Sequence, residues 1–349
     1  MTEFFTKNAE YLLGRETRQS ADRAVSEYFA GKTVMVTGGG GSIGSELCVC
    51  AARHGAERVV ILDINENNAH EVNLRLEADC PETKRRTVIA SVRDRARVLE
   101  IFEEIRPDVV FHAAAHKHVS FMEQNPREAV KNNIIGTINA ADAAEKAGAS
   151  AFVLVSTDKA VEPTSVMGAT KRFCEYVVAS RGDSKTKFAA VRFGNVLGSA
   201  GSVLPDFVEK IKRGEVINIT SRTVERYFMS IPEAAELVLC AASMEKGGIY
   251  VLDMGEPVKI AELAMRLGKI LCRDVQIEYT SLGDGEKLTE RLSYGGLEAT
   301  DLPFIAVEHC EPIPRDEISR RTAVLEAAMD DDGKIREALR TVVCEYSPR

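Results

Sequence analysis

The sequence lacks an excess of basic residues and lacks CxxC pairs of cysteines, the features that would indicate a nucleic-acid-binding protein or a zinc protein. The 349 residues carry 45 Lys and Arg against 53 Asp and Glu, which gives a formal net charge of −8. A protein that binds nucleic acid needs a basic face for the phosphate backbone, so this balance argues against such a partner. The eight cysteines are scattered and form no CxxC pair. This pattern favours reduced thiols over a disulfide framework or a zinc site, and we predict no metal.

Long hydrophobic runs are also missing. No stretch approaches the roughly 18 apolar residues of a membrane-spanning helix. The residues from Met1 to Phe29 lack a basic segment followed by an apolar one, so we predict no signal peptide. The chain contains no internal repeat and no low-complexity segment, and 45% of its residues are apolar. We therefore expect a globular, cytoplasmic protein without a membrane span.

Apolar, β-branched runs alternate with segments of helical periodicity up to about residue 195. This alternation predicts an α/β fold of Rossmann type, with a doubly wound, mostly parallel sheet. The predicted strands lie at 33–37, 58–63, 87–90, 109–112, 151–155 and 188–191, and two of the predicted helices at 97–105 and 130–147.

The alternation loosens after about residue 195, where Gly- and Pro-rich joints separate shorter elements. We assign residues 1–30 to a helical extension and 31–195 to a dinucleotide-binding domain, to which a segment around 226–250 returns. Residues 196–225 and 251–320 are assigned to a smaller C-terminal substrate-binding cap. Residues 321–349 are assigned to a tail that is helical or loosely packed.

A glycine-rich turn follows the first predicted strand and opens a helix. In the segment Thr37 to Gly44, the spacing of Gly38, Gly41 and Gly44 matches T-G-x-x-G-x-x-G. Gly38 permits the tight turn, Gly41 lets the backbone approach a pyrophosphate, and Gly44 lets the helix pack on the strand. The helix N-terminus, with Ser42 and Ile43, then faces the phosphates.

An acidic residue stands at the end of the second predicted strand. Asp63 lies nineteen residues beyond Gly44. A carboxylate there accepts hydrogen bonds from the adenosine ribose and repels a 2′-phosphate, so we predict NAD rather than NADP as the cofactor. The alternative is a glycine-rich turn with a capping aspartate and no ligand.

Motifs in a fixed order carry a family resemblance from about residue 11 to about residue 290. The chain resembles the extended short-chain dehydrogenases/reductases, and more narrowly the polysaccharide-biosynthesis nucleotide-sugar 4,6-dehydratases. Many members of that family carry membrane-spanning helices ahead of this unit, and the chain resembles their catalytic half alone. The matching segments are YLLGR at 11–15, TGGGGSIGSEL at 37–47, FHAAAHKHVSFME at 111–123, NNIIGT at 132–137, STDKAVEPTSVMGATKR at 156–172, RFGNVLGSAGSVLP at 192–205, RYFMSIPEAAELV at 226–238 and DMGEPVKI at 253–260.

The resemblance implies removal of water from a UDP-linked N-acetylhexosamine, with NAD moving a hydride from C4 of the sugar to C6. It makes Asp158 the acid at the C6 oxygen and Lys159 the base at C5, and it places Thr157 near C4. For these roles we expect burial to raise the pKa of Asp158, and burial or neighbouring cations to lower that of Lys159. Lys171 is expected to bind the nicotinamide ribose, and we also assign Ala113 and Ala114 to the cofactor site.

Met167 replaces the usual tyrosine of the Tyr-x-x-x-Lys motif that ends at Lys171. A thioether cannot accept the proton of the C4 hydroxyl. That proton must leave through Asp158, through Thr157 with a water molecule, or on the Lys171 side, and the sequence leaves these routes open.

Donors for the nucleotide-sugar are the last group of candidates. The resemblance points to Asn195 and to Arg226 for a phosphate or the uridine ribose, and Lys117 and His118 are assigned to the sugar. Where the family has Arg-Pro, this chain has Gly283 and Asp284, and we assign Arg291 as the substitute cation.

The leading hypothesis is therefore a UDP-N-acetylglucosamine 4,6-dehydratase for polysaccharide biosynthesis that self-associates. A nucleotide-sugar epimerase is the first alternative, because it needs only oxidation at C4 and return on the other face. A catalytically idle NAD-binding scaffold or sensor is the second.

Overall fold

A computed structural model describes residues 2–18, 23–283 and 285–348 of the chain. Asp284, one of the two residues noted above as a departure from the family, lies outside the described residues. The strands of the described part are, in chain order, β1 (Thr33–Thr37), β2 (Arg58–Asp63), β3 (Lys84–Ile89), β4 (Val109–His112), β5 (Ala151–Val155), β6 (Lys187–Arg192), β7 (Asn195–Val196), β8 (Ile217–Ile219), β9 (Glu225–Arg226), β10 (Phe228–Met229), β11 (Gly248–Leu252), β12 (Val258–Lys259), β13 (Ile277–Tyr279), β14 (Leu297–Ala299) and β15 (Ile305–Glu308).

Helices connect and cover these strands. They are α1 (Thr2–Lys7), α2 (Ala9–Leu13), α3 (Arg23–Phe29), α4 (Ser42–Arg53), α5 (Glu66–Asp79), α6 (Arg95–Ile105), α7 (Val119–Gln124), α8 (Pro126–Ala129), a π-helical turn (Val130–Ile135), α9 (Gly136–Ala147), a 3₁₀ turn (Asp158–Ala160), α10 (Val166–Ala179), α11 (Val203–Arg213), α12 (Ile231–Ser243), α13 (Ile260–Leu271), α14 (Arg315–Ala327) and α15 (Asp332–Val342). Among the residues the model covers, none of these helices is long and apolar enough to cross a membrane.

The main sheet has nine strands within the described residues, in the order β14-β15-β11-β6-β5-β4-β1-β2-β3. The pairs from β11 to β3 are parallel, while β15 and β14 continue the edge in antiparallel pairing. The chain order reverses at β1, whose neighbours are β2 and β4. In such sheets ligands bind outside the carboxyl ends of the strands at this point. The predicted α/β doubly wound sheet is confirmed.

The two faces of the sheet explain why its central strands are continuous apolar runs. Along β1, Val34 and Val36 belong to the apolar cluster that contains α3, α4 and α12, while Met35 belongs to the cluster that contains α6, α9 and α10. Side chains alternate between the faces of a strand, so a strand covered by helices on both faces has no polar face.

The carboxyl-terminal part differs from the sequence assignment. Strands β14 and β15 fall in the range assigned to the cap, but they belong to the main sheet, because β15 hydrogen-bonds along the open edge of β11. In the range assigned to the tail, Leu325, Ile335 and Leu339 are fully buried in the same cluster as α10. Of the two alternatives given for the tail, the structure therefore has the helical one: the end of α14 and all of α15 pack together and help to cover one face of the sheet.

A separate apolar cluster forms the cap at the carboxyl edge of the sheet. It joins α1 and α2 with α11 and α13, through residues such as Leu12, Phe207 and Leu263. Arg15, at the end of the YLLGR motif, ties this unit to the sheet, since its guanidinium pairs with Glu233 of α12 at 2.7 Å. The same guanidinium donates to the carbonyls of Met254 and Phe228.

The predicted helix at 130–147 contains a π-helical turn in its first six residues. Asn133 in this turn accepts a hydrogen bond from the His116 amide (2.8 Å) and donates to the His116 carbonyl (3.1 Å). Single π turns occur often at functional sites. Here the turn holds the loop after β4, which carries Lys117 and His118, in place.

Candidate functional site

The glycine turn between β1 and α4 is built as a cradle for an anion. Gly38 has a positive φ of 67°, and a Cβ there would lie 2.6 Å from the backbone nitrogen of Ala114. A Cβ at Gly44 would overlap the carbonyl oxygen of Gly38. Gly41 begins the twelve-residue α4 without a capping side chain, so the first amides of the helix stay open to a ligand.

The side chain of Asp63 fixes this turn from the end of β2. Its Oδ2 accepts a hydrogen bond from the Gly40 amide, and its Oδ1 accepts one from the Asn65 amide, each at 2.8 Å. The carboxylate therefore lies beside the glycine turn, as the sequence predicts for a ribose ligand. The residues fit a dinucleotide: a glycine cradle into which side chains could not fit, an open helix N-terminus and a partly buried acid.

Thr37 supports the turn from inside the core. Its side chain is fully buried, and its hydroxyl shares a 2.7 Å hydrogen bond with Nδ1 of His112. Nε2 of His112 lies 3.0 Å from the hydroxyl of Thr137. Burial lowers the pKa of His112 to about 3, so this imidazole is neutral. Thr37 and Ala114 therefore shape the cradle, and neither side chain lines the cavity described next.

A cavity of about 710 Å³ opens at the carboxyl edge of the sheet, between the glycine turn and the cap. It brings together most of the site residues predicted from distant parts of the sequence. The predicted residues that line it are Gly38, Gly41, Ser42, Ile43, Gly44, Ala113, Lys117, His118, Thr157, Lys159, Met167, Lys171, Asn195 and Arg226.

The turn after β5 carries the densest chemistry. Asp158 is fully buried, and its Oδ1 accepts hydrogen bonds from the Thr157 hydroxyl and from Nζ of Lys159, each at 2.9 Å. Its Oδ2 has no hydrogen-bond partner among the described residues. Because the carboxylate does not reach the cavity surface, it connects to the cavity through the hydroxyl of Thr157.

Lys159 differs from the sequence expectation in its charge. Its side chain is 21% exposed and lies against two carboxylates, Asp158 and Glu290. Burial by itself lowers the pKa of Lys159, but the two carboxylates raise it by more, so it stands above its ordinary value. The expectation of a lowered pKa is wrong for this structure, because the two carboxylates outweigh both burial and the one neighbouring cation, Arg226.

Met167 and Lys171 lie one turn apart on α10, which Ser165 caps by accepting a hydrogen bond from the Gly168 amide (3.1 Å). The Lys171 ammonium donates to the carbonyl of Val155 at 2.7 Å, and burial lowers its pKa. The two side chains line the wall of the cavity nearest the end of β5.

Donors from the cap and from the loop after β4 face the same space. Nζ of Lys117 lies 3.4 Å from the hydroxyl of Ser199 and has no carboxylate partner among the described residues, and burial lowers its pKa. Arg226 donates to the backbone carbonyls of Glu225, Lys287 and Leu288.

Arg291 is not brought to the cavity. Its side chain is 68% exposed and pairs with Glu162 at 3.0 Å on the outer surface. The assignment of Arg291 as the substitute for the family's arginine is therefore not supported by its position. Glu290, its neighbour, is the residue that sequence reasoning missed. No local pattern marks the pairing of this buried carboxylate with Lys159, which lies more than a hundred residues away.

A parallel sheet of this order, with a glycine cradle at its switch point and a capped cavity beside it, defines a Rossmann-type protein of the short-chain dehydrogenase/reductase class. Residues 34–307 match the family model described as "Polysaccharide biosynthesis protein". The chain belongs to this polysaccharide biosynthesis family.

Curated relatives differ in the reaction that their names give. The chain is 48% identical over 290 residues to the probable polysaccharide biosynthesis protein EpsC of Bacillus subtilis, covering 81% of this chain and 48% of that protein. It is 33% identical to the UDP-N-acetylglucosamine 4,6-dehydratase (inverting) of Campylobacter jejuni, covering 75% and 77%. It is 34% identical to the UDP-glucose 4-epimerase of Rickettsia canadensis, covering 76% and 78%. The chain thus spans about half the length of EpsC.

Solved structures share the fold. The X-ray structure of Pen from Bacillus thuringiensis superimposes with a TM-score of 0.73 and 32% identity, covering 82% of this chain and 92% of that one. The UDP-glucose 4-epimerase of Thermus thermophilus, in complex with NAD, gives a TM-score of 0.66 at 23% identity, covering 75% and 90%. At the latter identity the likeness concerns the fold alone.

Proposed function

We propose that this chain is an NAD-dependent nucleotide-sugar 4,6-dehydratase, which converts UDP-N-acetylglucosamine to a UDP-4-keto-6-deoxy-N-acetylhexosamine for surface polysaccharide. The observation that carries the proposal is the hydrogen-bonded pair of Asp158 and Lys159 at the cavity. In the same cavity, Met167 occupies the position that the tyrosine of the Tyr-x-x-x-Lys motif usually has. Elimination across C5 and C6 needs an acid and a base, whereas epimerisation at C4 needs only a group that accepts the C4 hydroxyl proton.

The pair can change from its resting form to its reactive form by moving one proton over 2.9 Å. Transfer from the Lys159 ammonium to the Asp158 carboxylate gives a free amine and a carboxylic acid. The amine then takes the C5 proton, and the C–H electron pair forms the C5=C6 bond. The C6–O bond breaks, and the proton of Asp158 passes through the Thr157 hydroxyl to the departing oxygen, which leaves as water. The pair is then again an ammonium and a carboxylate.

Other residues of the cavity would bind the cofactor and the nucleotide sugar. When bound at the glycine cradle, NAD would supply the oxidation of C4 and the later reduction of C6. Because Met167 cannot accept a proton, the C4 hydroxyl must lose its proton to another group, and Lys171 and Thr157 line that wall. Lys117 and Arg226 place two cations in the same cavity, where they can neutralise a diphosphate.

Incubation with UDP-N-acetylglucosamine in deuterated water tests the proposal. We expect a product that has lost one water and carries deuterium at C5, detected by mass spectrometry and proton NMR, because C5 exchanges through Lys159. An isomer of unchanged mass would instead establish the epimerase, an alternative favoured by the Rickettsia relative. If no nucleotide sugar is turned over, both enzyme hypotheses are refuted and the remaining alternative is a catalytically idle NAD-binding scaffold or sensor.

Asp63→Asn tests the proposed choice of NAD. The amide keeps a hydrogen-bond acceptor for the Gly40 amide but loses the charge that would repel a 2′-phosphate. We expect the ratio of the dissociation constants for NADP and NAD to fall by about tenfold or more, since a hydrogen bond to a charged group contributes about 1.5–3 kcal/mol. Isothermal titration with each dinucleotide measures this ratio. An unchanged ratio would contradict the role of Asp63.

A further inference from the structure

Lys159 has a second carboxylate neighbour besides Asp158. Oε1 of Glu290 lies 3.8 Å from Nζ of Lys159, and the Glu290 side chain is only 4% exposed. Oε2 of Glu290 accepts no hydrogen bond from the described residues, and its nearest cation is Lys287, at 3.5 Å. A buried carboxylate with an unused oxygen is costly unless nearby positive charge stabilises it.

Contacts other than Lys159 hold Glu290 in this position. Several hydrogen bonds join the segment 285–294 to the turn after β5, among them the following three. Lys287 donates to the Val161 carbonyl at 2.8 Å, Thr164 donates to the Gly285 carbonyl at 3.0 Å, and the Tyr294 hydroxyl accepts from the Glu162 amide at 2.9 Å. The carboxylate is therefore held beside Lys159 by the fold and does not depend on the ion pair for its place.

The charges that face Lys159 come from three parts of the chain. Asp158 belongs to its own turn, Glu290 and Lys287 to the segment 285–294, and Arg226 to β9. Asp158 is hydrogen-bonded to the ammonium group and Glu290 lies 3.8 Å from it, while Lys287 forms an ion pair with Glu290 and donates to the Val161 carbonyl. When Asp158 takes up a proton for the elimination, Glu290 is the carboxylate that remains beside Lys159.

We propose that Glu290 is a positioning residue for Lys159, whose fixed negative charge holds the lysine as an ammonium group at rest and stabilises the ammonium group formed when the lysine takes the C5 proton. This inference rests on the proposed function. Glu290 is not among the residues that line the cavity, so it acts through Lys159 and does not touch the substrate.

Glu290→Gln tests the inference through the pH dependence of the reaction. In the proposed step Lys159 and Asp158 share one proton, so kcat/KM should fall at high pH, where Lys159 loses that proton to solvent and Asp158 can no longer act as the acid. Removing the carboxylate removes a cause that raises the pKa of Lys159. We expect the falling limb of the variant to lie about one to three pH units lower than that of the natural enzyme. At pH values below both limbs we expect a lower kcat, because the ammonium group formed in the step has lost its counter-charge.

Two matched variants control for shape and for general charge. Glu290→Asp keeps the charge and should leave the limb near its natural position. Glu162→Gln removes a carboxylate from the same region, but its side chain is 55% exposed and pairs with Arg291 rather than Lys159. It should leave both the limb and the rate unchanged. A limb that stays in place in Glu290→Gln, or that moves equally in Glu162→Gln, would overturn the inference.

A measurement without turnover separates this inference from the proposed function. The pH dependence of acetylation of Lys159 by acetic anhydride, scaled to the maximum rate of the same residue and followed by peptide mass spectrometry, reports the pH at which the lysine becomes a free amine. In the natural protein we expect Lys159 to become reactive only at a higher pH than Lys187, an exposed lysine outside the described ion pairs. Labelling at the same pH as Lys187 would refute the role of Glu290. A failure to produce the dehydrated sugar would refute only the proposed function.

Discussion

Lys159→Ala is expected to abolish the loss of water from the nucleotide sugar while leaving NAD bound. Lys159 is the one amine that is hydrogen-bonded to Asp158 in the described cavity, and the glycine cradle and Asp63 belong to other strand ends. Removal of a general base slows a proton transfer by about 10²–10⁴-fold, and here the variant also leaves the Asp158 carboxylate without its cation. We therefore expect the rate to fall by a factor of about 10³ or more.

The measurement is the rate of dehydrated product under saturating nucleotide sugar, together with the amount of NAD that remains bound to the purified variant. Lys159→Met keeps most of the side-chain volume and separates loss of the amine from loss of packing. Lys187→Ala, at the start of β6 far from the carboxyl edge, is the matched control and should keep full activity. Full activity in Lys159→Ala would refute its assignment as the base.

Gly44→Ala is expected to destroy the dinucleotide site with a single methyl group. The added carbon would overlap the carbonyl oxygen of Gly38 and lie 2.9 Å from the Cα of Gly39, and both of these atoms belong to the backbone. Helix α4 would have to move away from the turn, and the amides that face the pyrophosphate would move with it. We expect NAD affinity to fall by about 100-fold or more, which corresponds to about 3 kcal/mol.

Isothermal titration with NAD and thermal unfolding measure the two consequences of this change. Gly182→Ala is the matched control, since a Cβ there would meet no atom closer than 4.0 Å. It should leave both NAD affinity and the unfolding temperature unchanged. Retention of NAD affinity in Gly44→Ala would show that the close packing of α4 on the turn does not create the site.

Local sequence patterns predicted the central strands of the sheet, because a strand that is buried on both faces is a continuous run of apolar residues in the sequence. The central residues of β1, from Val34 to Val36, are buried on both faces of the sheet, so this apolar run predicted a strand without knowledge of its neighbours. The glycine turn could also be predicted from the sequence. The positive φ at Gly38 and the contact of Gly44 with the Gly38 carbonyl restrict both positions to glycine.

Pairs of residues that are distant in the sequence could not be predicted from local patterns. The charge state of Lys159 depends on Glu290, which lies more than a hundred residues further on, and only the fold brings the two together. The same limit explains Arg291, whose sequence position beside the family motif did not reveal that its side chain points outward to Glu162. It also explains β15, a short strand whose membership of the main sheet depends on the free edge of β11.

The bonds made by Arg15 also bear on the order in which the molecule assembles. Its guanidinium joins Glu233 and the Met254 carbonyl, and Arg266 donates to the Leu12 carbonyl at 2.6 Å, so residues 2–18 meet partners more than two hundred positions later. Contacts of such high sequence separation form late, because a long loop must close before they contribute. During synthesis the YLLGR segment has to wait for α13 to emerge, so the cap cannot be completed until most of the chain has been made.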